Sequence, residues 1–141
     1  MGATTHLPMV ERYDFETRSW EAVAPMAEAR TFHAVAVLDG KLDAVGGFDG
    51  GLLSSVERYD PAANAWEAVA PMAERRTLAA VAALDGKLYA VGGYNPDDGY
   101  LSSVERYDPV TNAWEAVAPM ATARQEHAVG VLDGKLYAVG G

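Results

Sequence analysis

Three arginines, Arg30, Arg76 and Arg124, recur at offsets of 46 and 48 residues, and two positions after each stands Phe32, Leu78 or Glu126. A planar guanidinium fork matches a carboxylate, so loops carrying it could hold an acidic peptide; the alternative is that each arginine pairs with acids and carbonyls of its own loop. His33 and His127 occupy matching positions, with Ala79 between them in the series. Two imidazoles at matching positions of a repeat could meet a metal, but a third histidine and any thiolate are missing, so a packing or hydrogen-bonding role is expected and no metal is assigned. Asp49 and Asp97-Asp98 lack the alternating oxygen ligands and closing glutamate of a calcium loop. No nucleophile elbow, phosphate loop or ordered Ser-His-Asp set is present, and Ser54, Ser55, Ser102 and Ser103 recur at scaffold positions. No catalytic residue and no cofactor is expected, so the chain reads as a non-enzyme.

Composition narrows the partners. The 141 residues are 50% hydrophobic, carry a formal charge of -9 and include no cysteine. That excludes disulfides and thiol chemistry, and the charge argues against nucleic acid or an anionic membrane as partner. Met1 to Met9 contain no basic stretch followed by an apolar run, and no later run is long enough to span a bilayer. Met1-Gly2 resembles a myristoylation start, but His6 stands where serine or threonine is required. No N-x-S/T acceptor occurs. The expectation is a soluble chain, cytoplasmic rather than secreted.

The elements that position these residues repeat. Val10-Glu11-Arg12-Tyr13-Asp14 returns at 56–60 and 104–108, and residues 56–72 and 104–120 differ only at Ala62/Val110 and Ala63/Thr111. A period of this length belongs to propeller blades. Asp39-Gly40, Asp85-Gly86 and Asp133-Gly134 mark two-residue hairpins between short apolar strands. Gly46-Gly47, Gly92-Gly93 and Gly140-Gly141 end the second strand of each unit, where missing side chains allow a sharp exit or the approach of another strand. Asp60-Pro61 with Asn64, and Asp108-Pro109 with Asn112, supply a second hairpin turn. The first unit has Asp14-Phe15 and Arg18 there, a turn expected to be less preorganised. Tyr13, Tyr59 and Tyr107 each precede a tryptophan, Trp20, Trp66 and Trp114, by seven residues. Across a hairpin these rings can pack between units with their polar tips bonded, a structural role.

The glycine pairs, the tyrosines and tryptophans, and Pro25-Met26, Pro71-Met72 and Pro119-Met120 before the arginines resemble the kelch family from about Leu7 to Gly141. The resemblance implies an all-β fold of kelch-type β-propeller blades, each of four antiparallel strands, most often six to a ring. It also implies protein or peptide binding by loops at one face, often in the setting of a ubiquitin ligase. On that basis Arg30, Phe32, Phe48, Arg76, Leu78, Tyr94, Tyr100, Arg124 and Glu126 are the partner-binding candidates. The loop 94–100, longer and more acidic than its counterpart after Gly47, is the best candidate for specificity. A copper-oxidase branch of the family relies on a tyrosine–cysteine cofactor, which a chain without cysteine does not supply.

Read in this register, residues 1–6 form an N-terminal loop segment, 7–29 a half unit, 30–75 and 76–123 full units, and 124–141 a half unit. Twelve strands make three blades' worth, with one blade split. Three blades do not close a normal ring, and an open arc exposes apolar faces and strand edges. The expectation is therefore a self-assembling scaffold: a head-to-tail homodimer closing six blades, with a peptide- or protein-binding module as the alternative. Asp43 stands where Tyr89 and Tyr137 stand, so that position is expected either near solvent or as a local defect.

Overall fold

The computed structural model describes residues 7–141; the expected loop segment Met1–His6, including the Met1-Gly2 start, lies outside the described residues. The repeated Val-Glu-Arg-Tyr-Asp and Lys-Leu-x-Ala-Val stretches form five-residue strands because β-branched and aromatic side chains alternate with others along a pleat. In chain order they are β1 (Val10–Asp14), β2 (Ser19–Val23), β3 (Ala34–Leu38), β4 (Lys41–Val45), β5 (Val56–Asp60), β6 (Ala65–Val69), β7 (Ala80–Leu84) and β8 (Lys87–Val91). They continue as β9 (Tyr94–Asn95), β10 (Gly99–Tyr100), β11 (Val104–Asp108), β12 (Ala113–Val117), β13 (Ala128–Leu132) and β14 (Lys135–Val139). The expected twelve are thus joined by a two-residue hairpin, β9–β10, in the loop 94–100. Asn95 builds it by accepting from the amides of Asp97 and Asp98 at 3.1 and 2.9 Å.

Two complete antiparallel blades result, ordered β3-β4-β5-β6 and β7-β8-β11-β12, flanked by the two-stranded sheets β1–β2 and β13–β14. The Asp-Gly turns have both residues left-handed, as in Asp85 (φ 51°) and Gly86 (φ 71°), the geometry that matches the twist of a tight hairpin. Asn64 and Asn112 are also left-handed, and so is Arg18, at φ 56°, a side chain less suited to that conformation.

The core lies between the two blades. Leu38, Val45 and Val56 of the first meet Leu88, Ala90 and Tyr107 of the second, with Met72 from the connecting segment. Such close stacking explains the glycine pairs. Gly92 has φ 64°, and a Cβ there would lie 2.6 Å from the Arg124 carbonyl oxygen, so the neighbouring backbone leaves no room for a side chain.

Candidate functional site

The arginines expected at the binding face divide into two kinds. Arg30 and Arg76 are 2% and 0% exposed, so they offer no surface to a partner. Arg76 Nη1 donates to the carbonyls of Gly92 (2.8 Å) and Ser103 (3.0 Å), and Nη2 to Glu105 at 3.0 Å. Arg30 makes the same set with Gly46, Ser55 and Glu57. They tie each linker to its own blade. Arg124 is half-buried and, among the described residues, its side chain bonds only the Gly140 carbonyl.

Phe32, Leu78 and Glu126 share an unusual backbone. All three are left-handed, at φ 54°, 58° and 53°, and they form a blade-to-blade chain. The Leu78 amide donates to the Phe32 carbonyl and the Glu126 amide to the Leu78 carbonyl, each at 3.0 Å. Phe32 and Glu126 are exposed and Leu78 half-buried. Phe48 is half-buried and bridges Thr31 and Leu52. Tyr94 and Tyr100 lie together on β9–β10 with ring centroids 5.8 Å apart, and Tyr100 is 62% exposed.

Neither histidine joins a metal-binding group among the described residues. Burial, reinforced by Arg30, holds His33 below the usual imidazole range; burial and Arg124 do the same for His127. Both pack where the backbone is tight: a Cβ on Gly47 would come within 2.9 Å of His33 Cβ, and one on Gly141 within 3.0 Å of His127 Cβ.

Asp43 is fully buried, which overturns the near-solvent expectation. It accepts from Arg58 Nε at 2.9 Å and Nη2 at 3.4 Å, and the Arg58 guanidinium sits 5.3 Å over the Tyr107 ring. Burial nevertheless outweighs Arg58 and raises the Asp43 pKa.

The aromatic pairs join the units. Trp66 Nε1 donates to the Ala24 carbonyl at 2.7 Å and Trp114 Nε1 to the Ala70 carbonyl at 2.8 Å. Asn64 and Asn112 have a task that turn chemistry alone did not suggest. Besides holding the turn, each accepts from a tyrosine hydroxyl of its own blade and from the amide of Ala24 or Ala70 at 3.0 Å.

At the ends of the series the same residues are uncovered. Tyr59 and Tyr107 are 7% and 2% exposed, whereas Tyr13 is 39% and Trp20 64% exposed. A cleft of about 310 Å³ is lined by Tyr89, Val91, Val104, Val117, Met120, Leu136 and Ala138 among others. A larger one, about 660 Å³, is lined by Val10, Glu11, Arg30, Val35, Leu42, Ala44 and Trp66 among others. The β13–β14 hairpin in turn exposes Leu132, Tyr137 and Val139.

The Kelch motif matches residues 29–73 and 75–121. The chain belongs to the kelch-repeat family. It is similar to a kelch repeat-containing protein of Caenorhabditis elegans, 40% identical over 50 residues that make up 36% of this chain. It is equally similar to a kelch repeat and BTB domain-containing protein of the same organism, again 40% over 50 residues. The matched stretch spans 9% of the length of each relative. The four-stranded sheets are consistent with kelch blades, and kelch repeats generally mediate protein interactions and are typically non-enzymatic.

Proposed function

We propose that this kelch chain is a non-catalytic, self-assembling scaffold in which β13–β14 of one copy and β1–β2 of another complete a four-stranded blade. One observation carries the reading. The 310 Å³ cleft is lined by the repeat images of the main core: Val91, Val104, Met120, Leu136 and Ala138 stand for Val45, Val56, Met72, Leu88 and Ala90. What the cleft lacks are the images of Tyr107 and Trp114. Those images are Tyr13 and Trp20, exposed at the other end. The larger cleft is complementary in the same sense, since its Val35, Leu42 and Ala44 would receive Leu132, Tyr137 and Val139.

Covering these apolar faces and strand edges is the driving force, as it is inside the blade stack. Two copies joined twice would hold six blades about a two-fold axis, a closed arrangement that leaves no half-blade unpaired. The expected mass by light scattering at micromolar concentration is about twice the 15.0 kDa of one chain. A persistent 15.0 kDa species would reject the reading.

A second reading, protein or peptide binding by the inter-blade loops, is favoured by Tyr94 and Tyr100, paired aromatics on an acidic hairpin braced by Arg75 and Asp97. The exposed Tyr100, backed by the half-buried Tyr94, offers large contact area at small entropic cost. A peptide-array screen of the intact chain should then find ligands whose retention falls at least about tenfold in Tyr94→Ala and Tyr100→Ala, as befits aromatic hot spots. Equal retention by the variants would leave the loops without that role.

A further inference from the structure

Twice within the chain a glutamate is gripped in the same way. Glu57 accepts from the amides of Ala27 and Glu28 at 2.6 and 3.0 Å and from Arg30 Nη2 at 2.9 Å. Glu105 accepts from the amides of Ala73 and Glu74 at 2.7 and 3.1 Å and from Arg76 Nη2 at 3.0 Å. Both carboxylates belong to residues only 3% exposed. The third set is divided between the two ends of the series. Ala121, Thr122 and Arg124 stand in the segment before β13, while Glu11 lies on β1. Among the described residues Glu11 is exposed and its carboxylate meets no donor.

Resting on the assembly proposed above, we infer that the Ala121–Arg124 cradle of one copy takes the Glu11 carboxylate of a second copy, and that this contact sets the register of the joint. In the complete blades Glu57 lies opposite Ala44 and Glu105 opposite Ala90. The image of that pairing places Glu11 opposite Ala138, Val10 opposite Val139 and Tyr13 opposite Leu136. Slipping β1 by one residue turns Glu11 to the other face, and slipping by two carries it about 7 Å along the strand, out of reach of the arginine. Apolar faces resist the one-residue slip too but discriminate only weakly against the two-residue slip; a carboxylate held by two amides and a guanidinium excludes both.

Charge also favours this contact. Two copies of a chain carrying -9 repel one another, and the Glu11–Arg124 joint is an opposite-sign contact between their ends. Backbone images agree with the same register. The Gly93 amide donates to the Arg124 carbonyl at 2.8 Å, and the Glu126 amide to the Leu78 carbonyl. The matching bonds at the joint run from Gly141 of one copy to the Arg30 carbonyl of the second, and from Phe32 of the second to the Glu126 carbonyl of the first. One image fails: Arg18 stands where Asn64 and Asn112 accept a neighbour's amide, so each joint lacks that bond.

Sedimentation equilibrium on the full 141-residue chain tests the cradle. Glu11→Ala and Arg124→Ala should each raise the dissociation constant at least about 30-fold, with Glu11→Gln between them and wild type. The double variant should bind no more weakly than the weaker single one, because removing Glu11 alone leaves Arg124 covered without a counter-charge. Glu16→Ala, which deletes the same charge at the β1–β2 turn, should leave the constant within about twofold. Far-ultraviolet dichroism of dilute samples confirms that the variants are folded. A wild type that stays monomeric overturns both the assembly and the cradle. A wild type that assembles while Glu11→Ala and Arg124→Ala bind unchanged overturns the cradle alone.

Discussion

Glu105→Ala is expected to lower the unfolding free energy by about 3–5 kcal/mol, the cost of breaking a buried ion pair from one side. Arg76 is fully buried, and its Nε and Nη2 both reach Glu105, at 3.3 and 3.0 Å. Without the carboxylate its charge is left with the carbonyls of Gly92 and Ser103 and with the half-buried Glu74 at 3.8 Å, a longer contact that compensates it only in part. The amides of Ala73 and Glu74 lose their acceptor as well, which adds to the loss. Urea unfolding at fixed protein concentration measures it, since association adds stability that depends on concentration. The exposed Arg12–Glu21 pair at 2.6 Å is the contrast. In the dilute, unassociated chain Glu21→Ala should leave the midpoint unchanged, because there both groups stay in water whether or not they meet. An equal loss in the two variants would mean that burial is not what makes the Glu105 cradle matter.

That contrast shows how far the sequence could be read. Most local devices were legible: the Asp-Gly turns, the turns at Asp60-Pro61 and Asp108-Pro109, the glycine exits and the strands between them. Each rests on the chemistry of two to five adjacent residues. The blades were legible because the repeat supplied their register. The fate of the arginines was legible only as one of two readings, pairing with nearby acids and carbonyls, and not in its partners, because the groups that claim Arg30 come from other strands: the carbonyls of Gly46 and Ser55 and the carboxylate of Glu57. A guanidinium suits a carboxylate equally well on a peptide or on its own β5, and only the fold brings Glu57 within 2.9 Å. The neighbour-holding role of Asn112 was hidden for the same reason, its second donor being the Ala70 amide in the preceding blade. The β9–β10 hairpin escaped notice because its strands have two residues each, too short for any alternation to register.

Asp43 is where one departure from the repeat gives opposite results for two substitutions. In the second blade the same positions hold Tyr89, Arg106 and Glu115: Arg106 bonds Glu115 and reaches the Tyr89 hydroxyl at 3.4 Å. In the first blade Arg58 faces Asp43 on one side and Glu67 on the other, across β4–β5 and β5–β6. Asp43→Ala should lower the unfolding free energy by about 3 kcal/mol, since it leaves Arg58 beside a cavity with its buried counter-charge gone. Asp43→Tyr should raise it by about 1 kcal/mol, because a buried ion pair gives way to an aromatic ring and Arg58 can turn to Glu67 as Arg106 turns to Glu115. The pH dependence identifies the cause. Burial raises the Asp43 pKa, so the folded state binds its proton more tightly than the unfolded chain does. Its destabilising contribution is complete above the raised pKa and fades as the pH falls through that value toward the ordinary aspartate range. The gain from Asp43→Tyr should therefore be largest at neutral pH and shrink on acidification. Paired urea titrations of wild type and variant across that window measure the difference. A gain that grows as the pH falls would mean that Arg58 compensates Asp43 fully and that the ionised pair stabilises the blade.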